Sequence, residues 1–158
     1  MFRSAFASIK LLCISMVLIA ALAGYGFALY TDRQQAINWS NECFFLRFDP
    51  SGETKLKKWE LTVTADAFIR FRKTYIGGKQ EYYSFNLRSF ADMDYLGNTT
   101  QGMLRIKTKA DDIIVQTYND PKGNVDSMTT TLKIPLRNMD AERVDSLFNT
   151  LKYLKTAR

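Results

Sequence analysis

Histidine is absent from all 158 residues of this chain. That removes Ser-His-Asp and Cys-His nucleophilic catalysis, imidazole general-base chemistry and the usual zinc-binding sets. Cysteine occurs twice, and only Cys43 lies outside a long apolar run near the N-terminus. No disulfide is therefore expected within the remainder, which must be held together by packing. Cys43 sits in CFFLRF among large apolar side chains, so a buried thiol is expected in preference to one paired with another chain. Proline is limited to three residues and glycine to eight, and no low-complexity stretch or internal repeat interrupts the chain. Acidic residues are missing altogether from residues 1–30.

What fills that acid-free opening is LLCISMVLIAALAGYGFALY, residues 11–30, which carries no charge at all. As a helix it is about 30 Å long, matching the hydrocarbon core of a bilayer. Arg3, Lys10 and the terminal amine precede it, which predicts a cytoplasmic N-terminus and an extracytoplasmic remainder. Residues 1–30 thus read as a signal-anchor or a signal peptide. Ala21-Leu22-Ala23 is a small-x-small cleavage pattern, and Gly26-Phe27-Ala28 a weaker one. A retained single-pass anchor, in contact with membrane lipid, is the preferred reading because cleavage at Ala23 leaves the greasy stretch GYGFALY at the new terminus. The alternative is a secreted or periplasmic product after cleavage. Lipid modification of Cys13 is disfavoured, since Lys10-Leu11-Leu12 lacks the small residue such processing prefers.

Residues 31–158 have the size of one domain. They hold 20 of the 22 basic residues and all 16 acidic ones, a net +4. That is mild, dispersed along the chain, and unlike the dense basic stripe of a nucleic-acid binder. TDRQQAINWSNE (31–42) reads as a polar tether or a partial helical turn, and 43–158 as a single exported domain.

Within that domain the period is two. CFFLRF (43–48) reads as a first strand stopped by Asp49-Pro50-Ser51-Gly52. LKKWELTVT and AFIRFRKTYI follow, and Gly77-Gly78 turns the chain into EYYSFNLRSF. ADMDYLGNTT reads as a polar loop, then MLRIKTK and DIIVQTY as a pair of strands about Asp111-Asp112. MTTTLKIPL reads as the last strand, with Pro135 placing its end at an edge or off the sheet. The period then becomes helical in NMDAERVDSLFNTLKYLKTAR, where Val144, Leu147, Phe148, Leu151 and Leu154 share a face. The expected class is α+β: an N-terminal hydrophobic helix, then about seven mainly antiparallel strands closed by a C-terminal amphipathic helix. In element order this resembles the PH-like superfold. The tryptophan that PH domains usually carry on the final helix is absent, Phe148 being the nearest large substitute, and such a resemblance implies a fold without implying a function. A small antiparallel α+β sandwich is the fallback.

Candidate sites are few. Asn119, Asp120, Asn124 and Asp126 surround a glycine, but the EF-hand spacing and its closing glutamate are missing. Asp120-Pro121-Lys122-Gly123 repeats the form of residues 49–52, so both read as turns. Asp92 with Asp94, and Asp111 with Asp112, are the carboxylate pairs an acid/base hydrolase needs; in expected loops they read as solvated caps. The most basic stretch is Arg70 to Lys73, flanked by Lys55, Lys57, Lys58 and Lys79. With Tyr82, the side chains of Arg70, Arg72, Lys73 and Lys79 form the candidate ligand-binding set for an anionic lipid or polymer. Asn38-Trp39-Ser40 and Asn98-Thr99-Thr100 match glycosylation sequons, the latter in an expected loop. No cofactor, metal site or catalytic residue is expected. The leading expectation is a membrane-anchored, extracytoplasmic, non-catalytic module that engages another envelope or surface protein.

Overall fold

The structure is a computed structural model that describes residues 32–157. The apolar run 11–30, its cleavage patterns and Cys13 lie outside the described residues. Among those described, no helix is long and apolar enough to cross a membrane.

Helix α1 (Arg33–Arg47) comes first, followed by β1 (Leu56–Val63), β2 (Phe68–Tyr75), β3 (Gln80–Asn86), β4 (Phe90–Gly97), β5 (Gln101–Thr108), β6 (Ile113–Tyr118), β7 (Asp126–Thr129), β8 (Thr131–Arg137) and helix α2 (Ala141–Thr156). The eight strands form two antiparallel sheets, one in the order β1-β2-β3-β6-β7 and one in the order β4-β5-β8. The α+β class and the C-terminal helix expected from the sequence are both present.

Three expectations need correction. CFFLRF is not a strand, and the helical alternative for the stretch before it runs further than a partial turn, because residues 33–47 make one helix capped by the Asp32 carboxylate, which accepts from the Gln34 amide. Its buried stripe is Ala36, Ile37, Ser40, Cys43 and Phe44. Two of those are small or polar, which hides the helical period; Ser40 is tolerated there because its hydroxyl donates to the Ala36 carbonyl. The second correction concerns ADMDYLGNTT, most of which is strand β4. A bulge between Phe90 and Asp92 breaks the alternation, and the aspartates project to the solvent side. Finally, DIIVQTY does not pair with MLRIKTK. Strand β5 joins β4 and β8, whereas β6 joins β3 and β7, the chain crossing between sheets at residues 109–112. It crosses back at Thr130, so MTTTLKIPL is two strands. Leu132, Ile134 and Leu136 are buried, while Met128, of the same parity, is exposed on the other sheet.

The core draws Leu61, Val63, Ile69, Phe71 and Phe85 from the first sheet, and Leu104, Ile106, Leu132, Ile134 and Leu136 from the second. Leu147, Leu151 and Leu154 of α2 are buried with them, and Phe148 lies 5.8 Å from the Phe90 ring. Cys43 is buried as expected, and burial pushes its thiol pKa up, keeping it protonated and inert.

Helix α1 connects the edges of the two sheets. The Asn41 side chain donates to the Val63 carbonyl at 3.0 Å and accepts from the Val63 amide at 2.6 Å, occupying the place a neighbouring strand takes. Just past the helix, Phe48 bridges to Leu136, and the Asp49 amide donates to the Pro135 carbonyl at 3.0 Å. Pro135 thus lies on the edge strand β8 with its ring nitrogen directed away from β5, as its missing donor requires. The Phe48 ring lies 4.4 Å from Trp59 and 5.5 Å from Phe71, so its side chain packs on the five-stranded sheet while its backbone bridges to β8 of the other. Replacing it should be costly: Phe48→Ala is expected to lose about 3–5 kcal/mol in urea unfolding. Phe45→Ala on the exposed side of the same helix is expected to lose about 0.5 kcal/mol or less. Equal losses for the two variants contradict this packing.

Candidate functional site

The outer surface of the five-stranded sheet has no second layer over it among the described residues. Register places its side chains in rows. One row runs Thr62, Arg70, Ser84, Ile114, Met128, and the next Glu60, Arg72, Tyr82, Gln116, Asp126. Ile114, Tyr118 and Met128 are all more than a third exposed. Arg72 lies over the ring of its cross-strand partner Tyr82, 5.5 Å from the centroid. Lys58 is held by Glu60 at 2.6 Å and Arg70 is 3.6 Å from Asp66. Arg72 makes no ion pair among the described residues. A hollow of about 220 Å³ opens between Glu60, Thr62, Thr64, Arg70, Arg72 and Tyr82.

Of the five side chains in the candidate set, this surface brings together Arg70, Arg72 and Tyr82. Lys73 and Lys79 belong elsewhere. Strand parity puts Lys73 beside Ile69 and Phe71 on the inward face, where it is 8 % exposed. Its ammonium contacts Glu53 at 2.8 Å and Glu81 at 2.9 Å, and the Tyr75 hydroxyl lies within hydrogen-bond distance of both carboxylates, with one proton to donate to either. Lys79 joins this cluster through Glu81 at 3.1 Å and reaches Asp120 at 2.9 Å. Burial works against the charge of Lys73, but its bonds to Glu53 and Glu81 hold its pKa above the ordinary lysine value. Burial likewise opposes the charge of Glu81, and its bond to Lys73 overcomes this and keeps it below the usual carboxylate range. Burial pushes Tyr75 up to about 12. Lys73 and Glu81 are thus held charged and Tyr75 neutral, so none of these three is poised to exchange protons near pH 7. The cluster is a structural ion network.

The Asp92 and Asp94 carboxylates are similarly engaged. Asp94 and Arg105 face each other on β4 and β5, joined by bonds of 2.6 and 2.9 Å, and Lys107 reaches Asp94 at 2.8 Å and Asp92 at 3.6 Å. The Arg105 and Lys107 bonds hold the Asp94 carboxyl at a pKa of about 2. Asp111 and Asp112 lie in the crossing between sheets, where the Asp112 amide donates to the Ala110 carbonyl at 2.7 Å. In 119–126, Asp120 accepts from the Lys122 amide and Asn124 from the Asp120 amide. Asp49 accepts from the Ser51 amide in the same way, so the two D-P-x-G stretches do equivalent turn work. Asn98 caps the β4–β5 hairpin by accepting from the Thr100 and Gln101 amides, and Asn38 is exposed on α1.

A second feature lies at the outer edge of β1 and has no counterpart in the basic stretch. There the groove between α1 and the strand has a volume of about 590 Å³, with Phe45 and Trp59 on its walls and Asn41 at one end. The signal for it is the adjacent Phe44-Phe45 pair. On a helix the two point about 100° apart, and here Phe44 is fully buried while Phe45 is 70 % exposed.

Comparison with protein-family models, curated proteins and solved structures finds no match to this chain.

The Asp94 ion cluster makes a pH prediction. A carboxyl whose folded pKa is depressed contributes stability above its unfolded pKa, and that contribution is lost as pH falls through the folded value. Wild-type protein should therefore lose stability steeply between about pH 4 and pH 2, and Asp94→Asn should flatten that slope while costing stability at pH 7. Urea unfolding at a series of pH values checks this; parallel curves for the two proteins refute it.

Proposed function

We propose that residues 32–157 form a non-catalytic binding domain that engages another protein through the outer face of the five-stranded sheet. In the same proposal, residues 11–30 anchor the domain to a membrane and residues 31–158 stand on its extracytoplasmic side. The observation that carries the reading is the composition of the uncovered face. Tyrosine, methionine and arginine, the residues enriched at protein interfaces, are gathered there around small polar neighbours. The best-formed constellations of titratable groups, by contrast, are neutralised by their own partners, which argues against acid/base catalysis.

Binding to an anionic lipid or polymer is the second reading, favoured by the unpaired Arg72 beside Arg70. It is weakened because Lys73 and Lys79, half the positive charge in the candidate set, are turned away and bound to acids. Relation to the PH-like superfold rests on element order, strands followed by a closing amphipathic helix, and brings no ligand with it.

The test compares full-length variants purified from native membranes after crosslinking. Arg72→Glu combined with Met128→Glu should abolish a crosslinked partner that wild type retains, with a thermal midpoint changed by no more than about 2–4 °C. Lys133→Glu on the other sheet should retain that partner. Recovery of the same partner from all three proteins contradicts the assignment. Steep loss of binding with salt, together with retention by anionic vesicles, favours the second reading.

A further inference from the structure

The backbone of β1 has a free edge of defined length. In its ladder with β2, the Thr64 amide bonds to the Phe68 carbonyl, so alternate residues Thr62, Glu60 and Lys58 also direct their backbone groups toward β2. Val63, Leu61 and Trp59 direct theirs the opposite way. At Val63 both groups are taken by the Asn41 side chain. At Leu61 and Trp59 no hydrogen bond engages the outward amide or carbonyl among the described residues, and the groove lined by Phe45, Trp59 and Leu61 runs alongside them. A register irregularity between Leu56 and Lys58 ends the regular ladder at the other side. Four unpaired backbone groups thus flank an apolar trough, closed at one end by Asn41 and at the other by a bulge.

Charge narrows the occupant. Lys55, Lys57 and Lys58 crowd this end of the strand, against Glu60 alone, and Lys58 is the partner of that glutamate. Lys55 and Lys57 make no ion pair among the described residues. Helix α1 packs along the same edge, so a slim extended chain enters where the edge of a second folded copy, carrying its own α1, meets a helix.

We propose that this edge accepts an extended, acidic segment of a partner protein as an added strand, hydrogen-bonded to Trp59 and Leu61 and laying an apolar side chain against Phe45. Strand addition takes its affinity from main-chain bonds and its selectivity from alternate side chains. The groove adjoins the outer sheet face at Glu60 and Thr62, but it binds through the β1 backbone and Phe45, so either can fail without the other.

The experiment uses full-length protein in detergent micelles and fluorophore-labelled hexapeptides, acetylated and amidated, alternating valine with glutamate or valine with lysine. The glutamate peptide should bind roughly tenfold more tightly than the lysine peptide, and Lys57→Glu should remove that preference. N-methylation of one alternate set of peptide amides should weaken binding roughly tenfold, whereas methylation of the other set leaves it unchanged. Phe45→Ala, at an exposed position, should weaken it without unfolding the protein. Equal binding of both peptides, no binding of either, or indifference to both methylation sets overturns the proposal. Concentration-dependent dimerisation in sedimentation, competed by the glutamate peptide, also overturns it by assigning the edge to a second copy.

Discussion

An asparagine side chain in the position of a missing strand is the contact on which the arrangement turns. Two separate sheets leave an open seam between β1 and β8, and backbone groups at such a seam need partners or water. Helix α1 supplies partners at both sides. Asn41 offers Val63 one donor and one acceptor, as a strand does, and the chain beyond the helix continues onto β8 through Phe48 and Asp49. Phe48 then fills the space beneath, touching Trp59 and Phe71. Without that attachment the two sheets share a core but no direct edge.

Charge is distributed according to the same geometry. On the three-stranded sheet, Asp92 and Asp94 answer Lys107 and Arg105 across the strands. Inside the five-stranded sheet, Lys73 is affordable because two glutamates and a tyrosine surround it. The outer face of that sheet differs from both. Its cations are only partly answered, and its apolar residues Ile114, Tyr118 and Met128 stay in water.

Much of this was legible in the sequence, within a clear physical limit. Alternation located β1, β2, β3 and β8 and the helical period located α2, since in each one face is buried and the other solvated. Parity alone could also have separated Lys73 from Arg70 and Arg72, because Lys73 continues the series Ile69, Phe71. Helix α1 was hidden because Ala36 and Ser40 hold positions in its buried stripe, and Phe44-Phe45-Leu46 looks like a strand when read without them. Strand β4 was hidden by aspartates whose partners lie on the next strand, a pairing no local pattern reports. The sheet crossings near Ala110 and at Thr130 preserve parity while changing which face is covered, so Met128 and Leu132 look equivalent in sequence and are not. Of the candidate site, the outward trio Arg70, Arg72 and Tyr82 was readable, whereas the groove beside β1 left only the Phe44-Phe45 pair as a signal, since its place depends on where α1 packs.

Native-state hydrogen exchange, read amide by amide, tests the central claim most directly. If α1 completes the β1 edge at one position and leaves the next two open, Val63 and Asp49 should be protected, with Trp59 and Leu61 exchanging at least about a hundredfold faster than Val63 despite lying in the same strand. Similar exchange at Val63 and Leu61, whether both fast or both slow, contradicts the account.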